Sequence, residues 1–183
     1  ILIYRIASAL EQATQWEDDM WTLHADLKLG KKVLDTSLRN YQDKLNCNKT
    51  IIAQDHTNNF RLDFFPAYKS HRKKVRKPII VKPLKEYLAK NYETLTFPNL
   101  EGDDVCGIYA TRPENEGKVV VLSGDKDLRT IPGIHHFVHD ESTEVVDEKT
   151  ANYNFMYQTL VGDLTDNFGG CPKIGGVKAS RIL

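Results

Sequence analysis

The stretch Val119-Val120-Val121-Leu122 constrains the fold most. A continuous β-branched run with no polar alternation fits a strand covered on both faces, as in a parallel sheet, and such a sheet needs helices to cover it. The rest of the chain supplies them. Leu34, Leu38, Tyr41 and Leu45 recur at helical spacing, which predicts an amphipathic helix over 31–46. Leu84, Tyr87 and Leu88 mark a second helix, and 102–111 and 150–161 read as two more. Short strands are expected at 51–53, 94–97, 135–138 and 144–146. Residues 1–14 read as the end of a strand running into a helix, and 169–183 as a glycine-rich turn followed by a helix. The alternation predicts an α/β fold: a mostly parallel central sheet flanked by helices, with ligands beyond the carboxyl ends of its strands.

With 183 residues, 40% of them hydrophobic, the chain suits one globular domain over 1–183. No apolar run approaches the roughly 18–20 residues of a membrane span, so no membrane partner is expected. Cys47, Cys106 and Cys171 are widely spaced and odd in number, which favours a reducing, cytoplasmic compartment. The net charge of zero hides a segregated distribution. Residues 64–85 hold no acid but carry Lys69, Arg72, Lys73, Lys74, Arg76, Lys77, Lys82 and Lys85.

The acids fall where strands end or helices begin. Asp125 and Asp127 follow the valine run, Asp55 follows 51–53, and Glu101, Asp103 and Asp104 open the 102–111 helix. Asp163 and Asp166 lie just after the 150–161 helix. Each group alone reads as a helix cap or a polar turn. Together they offer hard oxygen donors of the kind that hold Mg²⁺ or Mn²⁺, and two such ions suit phosphodiester hydrolysis. An EF-hand loop starting at Asp125 fails, because Arg129 and Thr130 stand where an oxygen ligand and a glycine are needed. His135, His136 and His139 read as strand residues, since no cysteine or further histidine stands at zinc-site spacing.

Two segments suit nucleic acid. In 60–72, Phe60, Arg61, Phe64, Phe65, Tyr68, Lys69 and Arg72 interleave rings that can stack on unpaired bases with cations that can hold phosphates. In 169–179, Gly175 and Gly176 open a helix beside Lys178, where backbone can approach phosphate closely.

The set EGDD at 101–104, SGDKD at 123–127, GDLTDN at 162–167 and PKIGGVKA at 172–179 resembles the 5′ nuclease superfamily, which shares the PIN-like core. WEDDMW at 16–21, NNFRLDFFPAYKSHRKKVRKP at 58–78 and LEGDDV at 100–105 look like the 5′→3′ exonucleases of short-tailed bacteriophages. The resemblance implies a first metal near Glu101, Asp103, Asp104 and Asp125, with Asp55 close by, and a second held by Asp127, Asp163 and Asp166. It implies Lys69 and Arg72 beside the scissile phosphate, with Asp125 completing the catalytic group. DNA contacts would come from Arg61, Tyr68, Lys69, Arg72, Lys73, Lys74, Arg76, Lys77, Gly175, Gly176 and Lys178. A helical arch or clamp would occupy 60–77, in a basic segment spanning 58–82 of a catalytic core over 1–162. A helix–turn–helix duplex grip would begin in 163–183, with K⁺ at its glycine turn. The family's first-strand Asp and its C-terminal continuation lie outside this chain, which reads as truncated at both ends. The implied activity is two-metal 5′→3′ exonuclease or flap cleavage of DNA by a monomer, with duplex DNA, 5′ flaps and RNA–DNA hybrids as partners, in phage DNA degradation, replication or primer removal within a bacterial host cytoplasm. The alternative is a DNA-binding protein without catalysis.

Overall fold

The computed structural model describes the backbone of residues 1–183 and every side chain except that of Lys73. In chain order the elements are α1 (Leu2–Leu10), β1 (Gln12–Gln15), β2 (Trp21–His24), α2 (Leu27–Lys44), β3 (Ile51–Ala53), α3 (Arg61–Phe64), α4 (Val81–Asn91), β4 (Glu93–Leu95), α5 (Gly102–Ala110), β5 (Val120–Ser123), β6 (Gly133–Phe137), β7 (Ser142–Val146), α6 (Glu148–Val161) and α7 (Gly176–Ile182). Short 3₁₀ turns lie at Ser70–Lys74, Lys126–Thr130 and Leu164–Asp166. The chain forms two compact units, one of Ile1–Ala53 with Arg76–Leu95, the other of Gln54–Val75 with Thr96–Leu183.

In the first unit α1, α2 and α4 bury one stripe each. Ile6 and Ala7, Leu34 and Leu38, and Leu84 and Leu88 meet with Ile80 and Val81 in a single core; i, i+4 spacing puts Leu34 with Leu38 and Leu84 with Leu88 on one helix face each, and the neighbours Ile6 and Ala7 share the buried stripe of α1. Asp26 caps α2 by accepting from the Leu29 amide at 3.0 Å. The Asp35 carboxylate accepts from both Tyr87 and Tyr92 hydroxyls at 2.7 Å. β3 and β4 pair in parallel, while β1 and β2 form an exposed antiparallel hairpin. The expected order at the N-terminus is therefore reversed: ILIYRIASAL is helix first, with strand only after Leu10. The β-branched residues there hide a helical spacing that buries Ile6 and Ala7.

The second unit carries β5, β6 and β7, with β5 parallel to β6 and β7 antiparallel to it. Val121 packs with Ala110 and Leu128, and Phe137, Val138 and Val146 are buried. Asp147 caps α6 by accepting from the Thr150 amide at 2.7 Å. The single, mostly parallel sheet expected from the sequence does not form: among the described residues the strands fall into three small sheets. The strands are three to five residues long. The connection from β6 to β7 is a tight hairpin, with Glu141 in the left-handed region at φ 58°, and a hairpin can join only antiparallel strands. Val121 is the one buried residue of β5, so the valine run is not covered along its length.

Candidate active site

Seven carboxylates, those of Glu101, Asp103, Asp104, Asp125, Asp127, Asp163 and Asp166, line one cleft of about 1080 Å³ in the second unit, together with Arg61, Tyr68, Lys69 and Arg72. Asp55 joins them by accepting from the Gly102 amide at 3.0 Å. Every predicted metal ligand therefore belongs to one region of one unit, although 111 positions separate the first from the last.

Local chemistry explains each placement. Glu101 begins α5 with a capping box: its side chain accepts from the amide of Asp104, and Asp104 Oδ2 accepts from the Glu101 amide at 2.9 Å. Asp125, two residues past β5, caps the following 3₁₀ turn by accepting from the Asp127 amide at 3.0 Å. Asp163 accepts from the Thr165 amide at 2.7 Å. Its backbone pairs with Phe168 in both directions at 2.8 Å, so the loop bends back on itself. Gly162 and Gly170 make that bend possible. Both have positive φ (84° and 65°), and a Cβ on either would lie 2.4 Å from backbone atoms of the other strand of the loop. The capping readings and the functional readings of these acids are compatible, since one carboxylate orients the next.

The cations are distributed among the acids. Arg61 forks onto Asp104 with two bonds of 2.7 Å and stands 3.7 Å from Glu101. Tyr68 donates to Glu101 Oε2 at 2.6 Å. Lys69 donates to Glu101 Oε1 at 3.0 Å and lies 3.6 Å from Asp166, so it bridges the two acid groups. Arg72 stands 3.4 Å from Asp166. Lys69 occupies the left-handed region (φ 49°), and its amide donates to Asp166 O at 3.2 Å. The Asn167 amide group donates to Ala67 O at 3.0 Å, a second tie between these loops.

The electrostatics divide the acids in two. Asp104 is held below the usual carboxylate range: enclosure pushes it up, but the Arg61 fork and the Glu101 amide outweigh that. Asp103 and Asp127 go the other way, each to about 6. For Asp103, which keeps an exposed side, the causes are desolvation by the cleft wall, then Asp125, with Glu101 and Asp55 adding to it and Lys69 opposing. For Asp127 they are desolvation, then Asp125 and Asp163, with a bond from Gln158 opposing. Carboxylates that crowd one another this way fit a divalent cation, which would remove the repulsion. Among the described residues no three acidic, histidine or cysteine side chains stand close enough to hold a metal between them in this arrangement. Glu101 and Asp104 are turned instead to Arg61, Tyr68 and Lys69.

The predicted DNA contacts are less unified. Arg61, Tyr68, Lys69 and Arg72 are in the cleft. Lys74 is exposed in the same unit, and the Lys73 side chain lies outside the described residues. Arg76 and Lys77 belong to the first unit, where Arg76 is paired with Glu11. Gly175 has open space around its Cα, Gly176 abuts the Tyr157 hydroxyl, and Lys178 donates to Lys173 O at 3.1 Å. Residues 60–77 contain one helical turn, α3, and one 3₁₀ turn rather than a helical arch: Pro66 cannot continue α3, and Lys69 enters the 3₁₀ turn from the left-handed region at φ 49°. Gln158 and Thr165 were missed by the sequence reading; an uncharged partner leaves no charge pattern to find.

The family described as 5′-3′ exonuclease, N-terminal resolvase-like domain, matches residues 3–156. The chain belongs to this family. Among 5′-3′ exonuclease relatives it is 31% identical over 183 residues to the exodeoxyribonuclease of Enterobacteria phage T3, covering 95% of this chain and 61% of that protein. It is 34% identical over 166 residues to the 5′-3′ exonuclease of Buchnera aphidicola from Acyrthosiphon pisum, covering 83% of this chain and 57% of that one. The chain thus spans about three fifths of the length of the curated relatives it matches. The fold resembles that of the bacteriophage T5 D15 flap endonuclease, solved as a pseudo-enzyme–product complex with DNA and metal ions. The TM-score is 0.71 at 17% identity, over 83% of this chain and 65% of that one. T5 5′-exonuclease with bound divalent zinc gives the same TM-score at 18% identity. Among the described residues no helix is long and apolar enough to cross a membrane.

Proposed function

We propose that this chain carries the catalytic core of a metal-dependent nuclease that hydrolyses DNA from 5′ ends or at 5′ flaps. The observation that carries the reading is the single cleft lined by seven carboxylates and by Lys69 and Arg72. A phosphate-binding protein without catalysis gains nothing from so many acids beside its ligand, whereas divalent cations among them would neutralise the phosphodiester and activate water. Mg²⁺ or Mn²⁺ suits the all-oxygen donor set. Asp55, Glu101, Asp103 and Asp125 would hold one ion, and Asp127, Asp163 and Asp166 the other. Asp104 serves by orienting: its Arg61 fork and its bond to the Glu101 amide fix the start of α5. Lys69 and Arg72 would face the phosphate and stabilise its developing charge.

The T5 relative's complex with DNA supports DNA as the substrate, and T5 structures with metal ions support the cofactor class. Residues 163–183, with the turn before α7, would begin a helix–turn–helix grip on duplex backbone, with K⁺ at the glycine turn. RNA–DNA hybrids, a monomeric state, a single catalytic domain and a host-cytoplasm setting complete the proposal. One arrangement favours the non-catalytic alternative: Glu101 and Asp104 are already neutralised by bases. Metal-dependent cleavage by the wild type, absent in the non-catalytic reading, separates the two, and single-turnover cleavage by Lys69→Ala tests the role given to that amine. The nuclease reading predicts a rate loss of about 10²-fold or more with duplex affinity changed less than about threefold. A loss confined to affinity would make Lys69 a phosphate clamp.

A further inference from the structure

His139 lines the acid cleft and has no part in the chemistry assigned to it so far. The sequence pattern groups it with His135 and His136 as a strand residue, but β6 ends at Phe137 and His139 lies in the turn beyond, its side chain 53% exposed. The sheet fixes where it emerges. β5 and β6 are parallel, Ser123 is the register partner of Phe137, and the Val138 amide donates to Ser123 O at 3.0 Å. Asp125 and His139 each stand two residues past that last pair. Adjacent strands about 4.8 Å apart therefore deliver both to the same carboxyl edge, where ligands of parallel strands sit.

The ring is held in place. It meets the buried Phe137 ring edge-on, with 5.9 Å between centroids, and its Nε2 stands 3.2 Å from Asp140 Oδ2. Asp140 is pinned in turn, accepting from the Ser142 amide at 3.1 Å and the Ser142 hydroxyl at 2.7 Å. Asp140 is not among the residues of the cleft, and that sets His139 apart from the bases of residues 61–72. Arg61 is committed to Asp104, Lys69 to Glu101, and Arg72 stands against Asp166. His139 is paired off the cleft, so it can serve a ligand without leaving an acid that a metal needs. The acids decide which ligand. Metal ions neutralise the phosphate being cut, but the next phosphate along the strand enters the same carboxylate-lined cleft and is repelled unless a donor meets it. We infer that His139 is a substrate-contacting residue whose imidazole binds a non-bridging oxygen of the DNA phosphate next to the one that is cut. The inference rests on the nuclease reading above and adds a residue that grips the substrate. In that contact the ring is the imidazolium, donating from Nε2 to Asp140 and from Nδ1 to the phosphate, with Asp140 setting its direction.

The test pairs a change in the protein with a change in the DNA. Duplexes with one uncharged methylphosphonate, placed in turn at each linkage near the 5′ end, are titrated beside the all-phosphate duplex in EDTA at pH 6.5, where nothing is cut. The proteins are wild type, His139→Ala and His139→Lys. His139→Ala should bind the all-phosphate duplex about 3- to 10-fold more weakly than wild type. At one linkage, adjacent to the one that wild type cuts with Mg²⁺, the methylphosphonate should cost wild type affinity and cost His139→Ala nothing further. At the other linkages the two changes should add. His139→Lys restores a cation but not the ring packing on Phe137, and it should recover most of the affinity and the dependence on that linkage. A merely structural role would not be rescued by lysine and would single out no phosphate. Additivity at every linkage, wild-type affinity in His139→Ala, or a His139→Lys as weak as His139→Ala overturns the assignment. Coupling at the cut linkage itself also overturns it, by placing His139 on the scissile phosphate. A wild-type protein that binds no duplex at all removes the nuclease reading, and this inference with it; one that binds and cuts duplex without coupling to His139 removes this inference alone.

Discussion

Arg61 and Asp104 show what a single residue pair can hide. Both were visible in the sequence, one as a phosphate contact and the other as a metal ligand. In the fold they are committed to each other by two bonds of 2.7 Å across 43 positions of chain. Such a fork is worth more than a neutral bond and holds the start of α5 against the start of α3. Spacing found the acids because they stand just past a strand, at a helix start or in a short turn, which are local properties. It could not find their partners, because the pairing is fixed by tertiary contact. His135 gives a prediction at this scale. It is 1% exposed, its Nε2 lies 2.9 Å from Ile131 O, which makes that nitrogen the donor, and its Nδ1 has no hydrogen-bond partner. Burial pulls its pKa below 6.5, helped by Arg129, while the Ile131 bond and Glu144 oppose. A basic group depressed in the folded state binds its proton more readily when unfolded, so it costs stability as pH falls below about 6.5. The melting temperature of wild type should therefore drop, relative to His135→Phe, by a few degrees between pH 7 and 5. Parallel curves for the two proteins would show that folding leaves the pKa of His135 unshifted.

Elements with a strong period were legible, and elements that depend on tertiary pairing were not. α2 follows from Leu34, Leu38, Tyr41 and Leu45, and it runs from Leu27 to Lys44, near the expected bounds. α1 was misread as partly strand, because Ile1, Ile3 and Ile6 favour strand while the helix is decided by what Ile6 and Ala7 pack against. Strands β3 to β7 were located to within one or two residues, but the β1–β2 hairpin around residues 16–21 was not foreseen and that region was read as helix; the grouping was not legible either, since nothing in Glu144–Val146 says which way it will pair. The loop from Gly162 to Gly170 is the element on which the second acid group depends. Gly162→Ala or Gly170→Ala should lower the melting temperature by at least about 4 °C and sharply reduce cleavage, because a Cβ there meets backbone rather than a movable side chain. Gly175→Ala, with open space around it, should leave the melting temperature within about 1 °C. Equal effects at Gly162 and Gly175 would contradict the role given to the bend.

On the scale of the whole molecule, zero net charge conceals the feature that matters. Acids and bases alternate within one cleft of the second unit, and the basic segment read from the sequence as one block is divided, with Lys69, Arg72 and Lys74 in that unit and Arg76 and Lys77 in the other. The composition could not show this division, since it arises from where the chain crosses between units. If Arg72 contacts phosphate, the affinity for duplex DNA should fall linearly on a log–log plot against salt, and Arg72→Ala should reduce the slope by about 1. An unchanged slope would place Arg72 off the DNA. The claim at the centre of the account is that the carboxylates of this cleft direct metal-dependent cleavage from 5′ ends. It is tested most directly by following a 5′-labelled duplex with Mg²⁺ or Mn²⁺, and with EDTA, for the wild-type protein beside Asp127→Asn. The account predicts short labelled products from wild type with metal only, and a loss of at least about 10³-fold in Asp127→Asn while that variant still binds the duplex. Cleavage that persists in EDTA, or wild-type turnover in Asp127→Asn, would contradict it.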